Sequence, residues 1–181
     1  MRAFVGLPVP EAWIGPLCRA QSRILGGRKV DAEDLHLTLA FLDDQPEDRL
    51  EALHELLEAR PASAVALRPL AYAVFGAGRA RLMALDVAAT PELTGLRDAV
   101  RTACRRAGID LPRERFRPHV TLVRFPASAP GDPARLSGAV AALGVPVVPP
   151  ELAGAASLWS STLTPEGPIY EPLATYPLVA A

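Results

Sequence analysis

The sequence predicts an α+β protein of two pseudo-symmetric lobes, each an antiparallel sheet with helices on its outer face, and a cleft between them. Three observations carry this. Strand-like and helix-like periodicities alternate along the chain. The order strand, helix, His-bearing strand, helix, strand occurs twice, over residues 2–74 and 80–163, with "HLTLAFL" starting at His36 and "HVTLVRF" at His119, 83 positions later. Two copies at so long a period mark a duplicated lobe rather than a solenoid. Finally, the His-bearing strands alternate in character and residues 64–88 read as a hairpin, which favours antiparallel sheets over a doubly wound parallel one.

Each element has its own signal. "RAFVGLPV" reads as a strand and "PEAWIGPLCRAQSRIL" as a helix, with Pro16 a candidate kink near its start. After the strand over residues 36–42, "PEDRLEALHELLEAR" places Leu50, Leu53, Leu56 and Leu57 at helical spacing behind Pro46 and an acidic first turn. Strands are expected over residues 64–74 and 80–88. In "TPELTGLRDAVRTACRRAG", Thr90 can cap, Pro91 suits the first turn, Leu93, Leu96, Val100 and Cys104 form the stripe, and Gly108 ends it. The strand over residues 119–125 precedes a helix in "DPARLSGAVAALG". Strands over residues 151–163 and 169–179 then follow, joined by the turn "TPEGP". The expected layout is one domain over residues 1–181: a first lobe at about 1–75, a second at about 80–165, and a closing hairpin strand to 181.

At 181 residues, half of them hydrophobic, the chain can bury a substantial core. A formal charge of −1 argues against coating nucleic acid or an anionic membrane through bulk charge, so any nucleic-acid contact must be local. Cys18 and Cys104 lack zinc spacing and read as buried free thiols of a reducing compartment. The proline-interrupted N-terminus is a poor signal peptide, and no uncharged stretch is long enough to span a bilayer. A cytoplasmic, monomeric protein is expected.

Only three histidines occur, and two share the pattern His, apolar, Thr, Leu. Residues i and i+2 of a strand share a face, so His36 projects with Thr38 and His119 with Thr121, while Leu37, Leu39 and Phe41 are expected on the opposite face. Two imidazoles with ordinary pKa values near 6.5 can act at one pH as proton acceptor and proton donor. Displacement at phosphorus needs both, one for the incoming oxygen and one for the leaving oxygen. Hydroxyls and a cation would hold the non-bridging oxygens. Arg124 is the obvious cation, yet five positions after His119 its parity is wrong for that face, so the strand must bulge, twist or end there. His54, within a leucine-striped helix, reads as structural.

At these residues the chain resembles the 2H phosphoesterase superfamily, and within it the bacterial and archaeal RNA 2′,3′-cyclic phosphodiesterases, historically called 2′-5′ RNA ligases. "MRAFVGLPVPE", "DLHLTLAFL", "FRPHVTLVR" and "TLTPEGPIYEPLATYPL" carry the resemblance over nearly the whole chain. It implies metal-independent hydrolysis of 2′,3′-cyclic phosphates on RNA ends or nucleotides to 2′-phosphates, with no cofactor. His36 would be the acid, His119 the base, and Thr38, Thr121 and Arg124 the phosphate ligands. Two positions depart from the family pattern: Asp43 stands where glycine is usual after "FL", and Ala84 where an aromatic is frequent.

Nucleobases are held by aromatic stacking and phosphates by arginine. Candidates are Phe41, Phe75, Phe116 and Trp159, with Arg113, Arg115 and Arg117 as a basic approach to the second motif. Reversible 2′-5′ RNA ligation, a non-catalytic module that binds RNA ends, and a metal site built on the two histidines stand as alternatives; two histidines without a convergent carboxylate or thiolate make a poor ligand set.

Overall fold

A computed structural model describes residues 1–180; Ala181, where the expected closing strand would end, lies outside them. In chain order the elements are β1 (Arg2–Pro8), α1 (Glu11–Ser22), β2 (Arg28–Lys29), a 3-10 turn (Ala32–Asp34), β3 (His36–Asp44), α2 (Glu47–Glu58), β4 (Val65–Leu67), β5 (Pro69–Phe75) and β6 (Leu82–Val87). There follow α3 (Pro91–Arg106), β7 (His119–Arg124), α4 (Pro133–Leu143), β8 (Glu151–Ala153), β9 (Ala155–Thr164) and β10 (Gly167–Pro177). The fold is α+β with antiparallel strand pairing, as the alternating patterns predict.

The α3 signals act as read. Thr90 Oγ1 accepts from Leu93 N at 3.2 Å to cap α3, Pro91 opens it, and Gly108, at φ 78°, follows its end. Asp132 caps α4 by accepting from Ala134 N, and Gly144 stops it at φ 70°. Leu93, Leu96, Val100 and Cys104 are all buried, each leucine contributing roughly 2 kcal/mol. α1 runs on through Pro16 as one helix.

The main sheet has the order β10-β9-β1-β3-β7-β6-β5, with β2 added to β7. A single residue pair, Leu37 with Val120, joins β3 to β7. The lobes meet at that seam: β10-β9-β1-β3 on one side, β7-β6-β5 on the other. The lobes are therefore not the sequence halves 1–75 and 80–165. β5 crosses to the second half-sheet, where it forms a hairpin with β6, while β9 and β10 return to flank β1 in the first. Two expected strands are also interrupted. Residues 64–74 divide at Arg68 and residues 151–163 at Gly154, because β4 and β8 leave the main sheet to pair with each other.

One face of the sheet is the core. Leu7, Leu37, Leu39, Met83, Leu85, Val120, Leu122 and Val123 are buried there beneath the helices, α3 lying against β3, α1 against β7 and α4 against β5. The other face carries both histidine motifs.

Candidate active site

His36 and His119 each open a strand, and each is held the same way. His36 Nδ1 donates to the Asp34 carbonyl at 2.6 Å and His119 Nδ1 donates to the Arg117 carbonyl at 2.8 Å, in both cases two residues back. A carbonyl can only accept, so Nδ1 carries the proton and Nε2 remains for proton transfer. The turn Ala32–Asp34 presents the first carbonyl. The second belongs to an extended segment anchored from α3, where Arg97 and Arg101 donate to the Glu114 and Pro112 carbonyls.

Extending the Leu37–Val120 register by one residue each way sets His36 opposite Thr121 and Thr38 opposite His119. Each histidine thus lies across the seam from the threonine of the other motif, on the side of the sheet away from the helices.

Strand bulges decide what else reaches that side. On β6, Leu82, Ala84 and Asp86 share a face and pair with Arg124, Thr121 and His119. β7 therefore contains an extra residue between Thr121 and Val123, namely Leu122, and this bulge reverses the parity that would have turned Arg124 into the core. The Leu122 carbonyl is fixed by Gln21 Nε2 at 2.8 Å and Val30 N at 3.0 Å. β3 bulges at the matching place. Phe4, Gly6 and Pro8 of β1 pair with Phe41, Thr38 and His36, so Leu39 is extra. Phe41 consequently shares the face of His36 and Thr38, half-exposed and 6.1 Å from the Phe4 ring, rather than pointing toward the helices as strict alternation predicts. In both motifs the Leu after Thr is the buried bulge residue, and the residue two beyond it, Phe41 or Arg124, turns outward.

Burial dominates the electrostatics. Phe4 stacks on His36 at 4.7 Å, with Trp159 at 5.5 Å and Tyr170 edge-on at 5.4 Å. Removal from water pushes its pKa down to about 4, against the upward pull of the Asp34 carbonyl, and the charges of Arg124 and His119 push the same way as burial. His119 is also lowered, first by burial; the Arg117 carbonyl and Asp86 oppose this, while Arg117 and Arg124 add to it. Arg124 is close enough to act on both rings.

The remaining candidates divide. Phe75 packs on His119 at 4.7 Å, and the Arg117 guanidinium lies 3.8 Å from the Phe75 ring centroid. Arg117 is held by Asp86 through two hydrogen bonds of 3.2 and 2.9 Å. Phe116 is not part of this face: Arg97 covers its ring at 4.7 Å and it packs against the core. Arg113 and Arg115 are exposed on the segment before β7. Ala84 is fully buried beside Thr121. Asp43 has φ 54°, a left-handed conformation, and pairs with Arg2 at 3.3 Å. His54 donates to or accepts from Tyr176 Oη at 3.1 Å, away from both motifs. Phe4 and Tyr170 were missed from sequence, because strand pairing across 32 and 134 positions, which puts them on His36, leaves no local signal. Among the described residues, no group of three or more His, Cys, Asp or Glu is placed to share a metal, and no helix is long and apolar enough to cross a membrane.

Residues 8–142 match the family model of the 2′-5′ RNA ligase superfamily. A Thermus thermophilus protein named RNA 2′,3′-cyclic phosphodiesterase is 33% identical over 193 residues, covering 98% of this chain and 90% of that protein. A protein of the same name from Geobacillus stearothermophilus is 33% identical over 159 residues, 84% of this chain; the match spans only 48% of that longer protein. The crystal structure of TT0787 of Thermus thermophilus superposes with a TM-score of 0.75 at 27% identity, covering 99% of both chains. Together with the paired His-x-Thr-Leu strands, these matches establish that the chain belongs to the 2′-5′ RNA ligase superfamily.

Proposed function

We propose that this chain opens 2′,3′-cyclic phosphates on RNA ends or nucleotides, leaving a 2′-phosphate. One observation carries the reading: two imidazoles, each tied through Nδ1 to a carbonyl two residues back, share a sheet face with two threonine hydroxyls and Arg124. The names of the Thermus and Geobacillus relatives support the same reaction.

The two Nε2 atoms supply the acid and the base. His119 takes the proton from the attacking water, the water oxygen bonds to phosphorus, the bond from phosphorus to the 3′ oxygen breaks, and His36 gives that oxygen its proton. Thr38, Thr121 and Arg124 hold the non-bridging oxygens, where negative charge concentrates in the transition state. His36, lowered to about 4, is neutral in the free protein near pH 7. The phosphate it meets brings the negative charge that raises its proton affinity, so binding charges the acid. Phe41 and the Phe75–Arg117 pair are platforms for the base or ribose, with Trp159 behind His36. The reading extends to a monomeric cytoplasmic enzyme that uses neither metal nor organic cofactor. Ligation of a cyclic end to a 5′-hydroxyl runs the same groups in reverse, and water at its bulk concentration favours hydrolysis.

The test is turnover of a 2′,3′-cyclic nucleotide in the presence of chelator, with identification of the product isomer. His36→Ala and His119→Ala should each lose about 10³-fold or more in kcat. Undiminished hydrolysis by His119→Ala, or activity abolished by chelator, refutes the mechanism.

A further inference from the structure

Arg124 is shared between the histidine face and a neighbouring concavity of about 590 Å³. Its other lining includes Arg28 from β2 and Arg79 and Arg81 from the β5–β6 connection. Four arginines line it in a chain whose formal charge is −1, and no carboxylate does. Among the described residues, none of the four lies within 4.0 Å of an Asp or Glu oxygen. This differs from Arg117, Arg97 and Arg101, which have acidic partners. The adjoining concavity on the β10 side of Arg124 is mixed in charge, lined by Asp31, Asp34 and Glu166 as well as Arg28 and Lys29.

The cluster is built on fixed backbone. Arg81 N donates to the Phe75 carbonyl and Phe125 N donates to the Arg81 carbonyl, both at 2.8 Å. Arg28 lies opposite Arg124 in the β2–β7 register. Its side chain occupies the space where a Cβ at Gly167 would fall, so that glycine leaves room for the guanidinium. Like charges held together without counter-carboxylates raise one another's electrostatic energy, and a polyanion relieves it.

A mononucleotide cyclic phosphate has one phosphate, which the histidine face and Arg124 would satisfy. Further phosphates on the substrate must come from the polymer, and a 2′,3′-cyclic end lies at the 3′ terminus, so they belong to nucleotides on its 5′ side. We propose that Arg28, Arg79 and Arg81 form a backbone-phosphate track continuing from Arg124, so that the preferred substrate is an RNA strand extending 5′ of the cyclic end rather than a free nucleotide. This rests on the cyclic phosphodiesterase reading above.

The test compares kcat/KM for a 2′,3′-cyclic mononucleotide with that for a short single-stranded RNA ending in the same cyclic nucleotide, in the parent and in an Arg79→Gln/Arg81→Gln variant. Both side chains are exposed, and a melting curve matching the parent's confirms the fold. The parent should prefer the RNA by about 10-fold or more at low salt. The variant should lose most of that preference, with the mononucleotide rate within about two-fold of the parent's. The salt dependence of the RNA reaction should flatten by about 0.7 in log–log slope for each arginine removed. Equal kcat/KM for RNA and mononucleotide in the parent, or an unchanged preference and slope in the variant, overturns the track while leaving the hydrolase reading intact. A parent that hydrolyses neither substrate overturns that reading and the track with it.

Discussion

Leu37 and Val120 face each other in antiparallel register as the one residue pair joining β3 to β7. Because they are core residues, the side chains one step away on either strand point outward, so the register sets His36 opposite Thr121 and Thr38 opposite His119. The candidate face is a crossed arrangement in which each motif's threonine lies across the seam from the other motif's histidine.

Thr38→Val and Thr121→Val test this crossing. Each exchanges a hydroxyl for a methyl of similar size on a half-buried, β-favouring position, so stability should change by less than about 1 kcal/mol. Each should lower kcat/KM about 100- to 1000-fold, the range of one lost oxyanion contact. Steady-state kinetics alongside thermal melts would check it, and a loss confined to stability would exclude the threonines from the phosphate site.

The pH dependence of kcat/KM reports the free protein. With His36 near 4 and His119 lowered from its ordinary value, the profile should be a bell with its acid limb near pH 4 and its alkaline limb below about 6.5. The limbs of kcat should lie higher, since bound phosphate favours both imidazolium forms. Asp86 raises His119, so Asp86→Asn should move the alkaline limb of kcat/KM downward.

Stability should fall in acid for a related reason. His36 takes up its proton near 6.5 when unfolded and only near 4 when folded, so the unfolded chain binds more protons between those values. The stabilisation is fully present above pH 6.5 and is lost as pH falls toward 4, by up to about 3 kcal/mol. Urea unfolding of the parent and of His36→Phe across this window would show it: the variant's stability should depend less on pH.

Asp43 occupies a left-handed conformation that aspartate tolerates and β-branched residues do not. Asp43→Val should cost about 1–2 kcal/mol, whereas Asp43→Gly should leave the protein at least as stable as Asp43→Ala. Chemical denaturation of the three variants is sufficient, and a stable valine variant would contradict the assigned φ.

The candidate site was more legible in the sequence than its surroundings. The repeated motif places His36 with Thr38 and His119 with Thr121 on one face because period-two alternation holds from one residue to the next but one. Arg124 and Phe41 lie beyond a bulge, and a bulge is decided by the partner strand: β6 counts past Leu122, and β1 counts past Leu39. Alternation therefore misplaces Phe41 and leaves Arg124 unresolved. The Phe116 assignment fails because a half-buried ring beside arginines looks alike whether the arginine stacks on it from the cleft or, as Arg97 does, from a helix. The cap and stripe of α3 were legible, since their partners lie within one turn. Lobe membership was not, because nothing local in β5, β9 or β10 states which strand will be its neighbour.

That exchange of strands has a consequence for synthesis. β1 is made well before β9, which flanks it on one side, and Trp159 and Tyr170 complete the wall around His36. A nascent polypeptide that has made both His-x-Thr-Leu strands still lacks this wall. Long-range pairing of this kind slows assembly. The His36 imidazole therefore gains its dry surroundings only once β9 and β10 have been made, and a chain stopped before them leaves that ring wet.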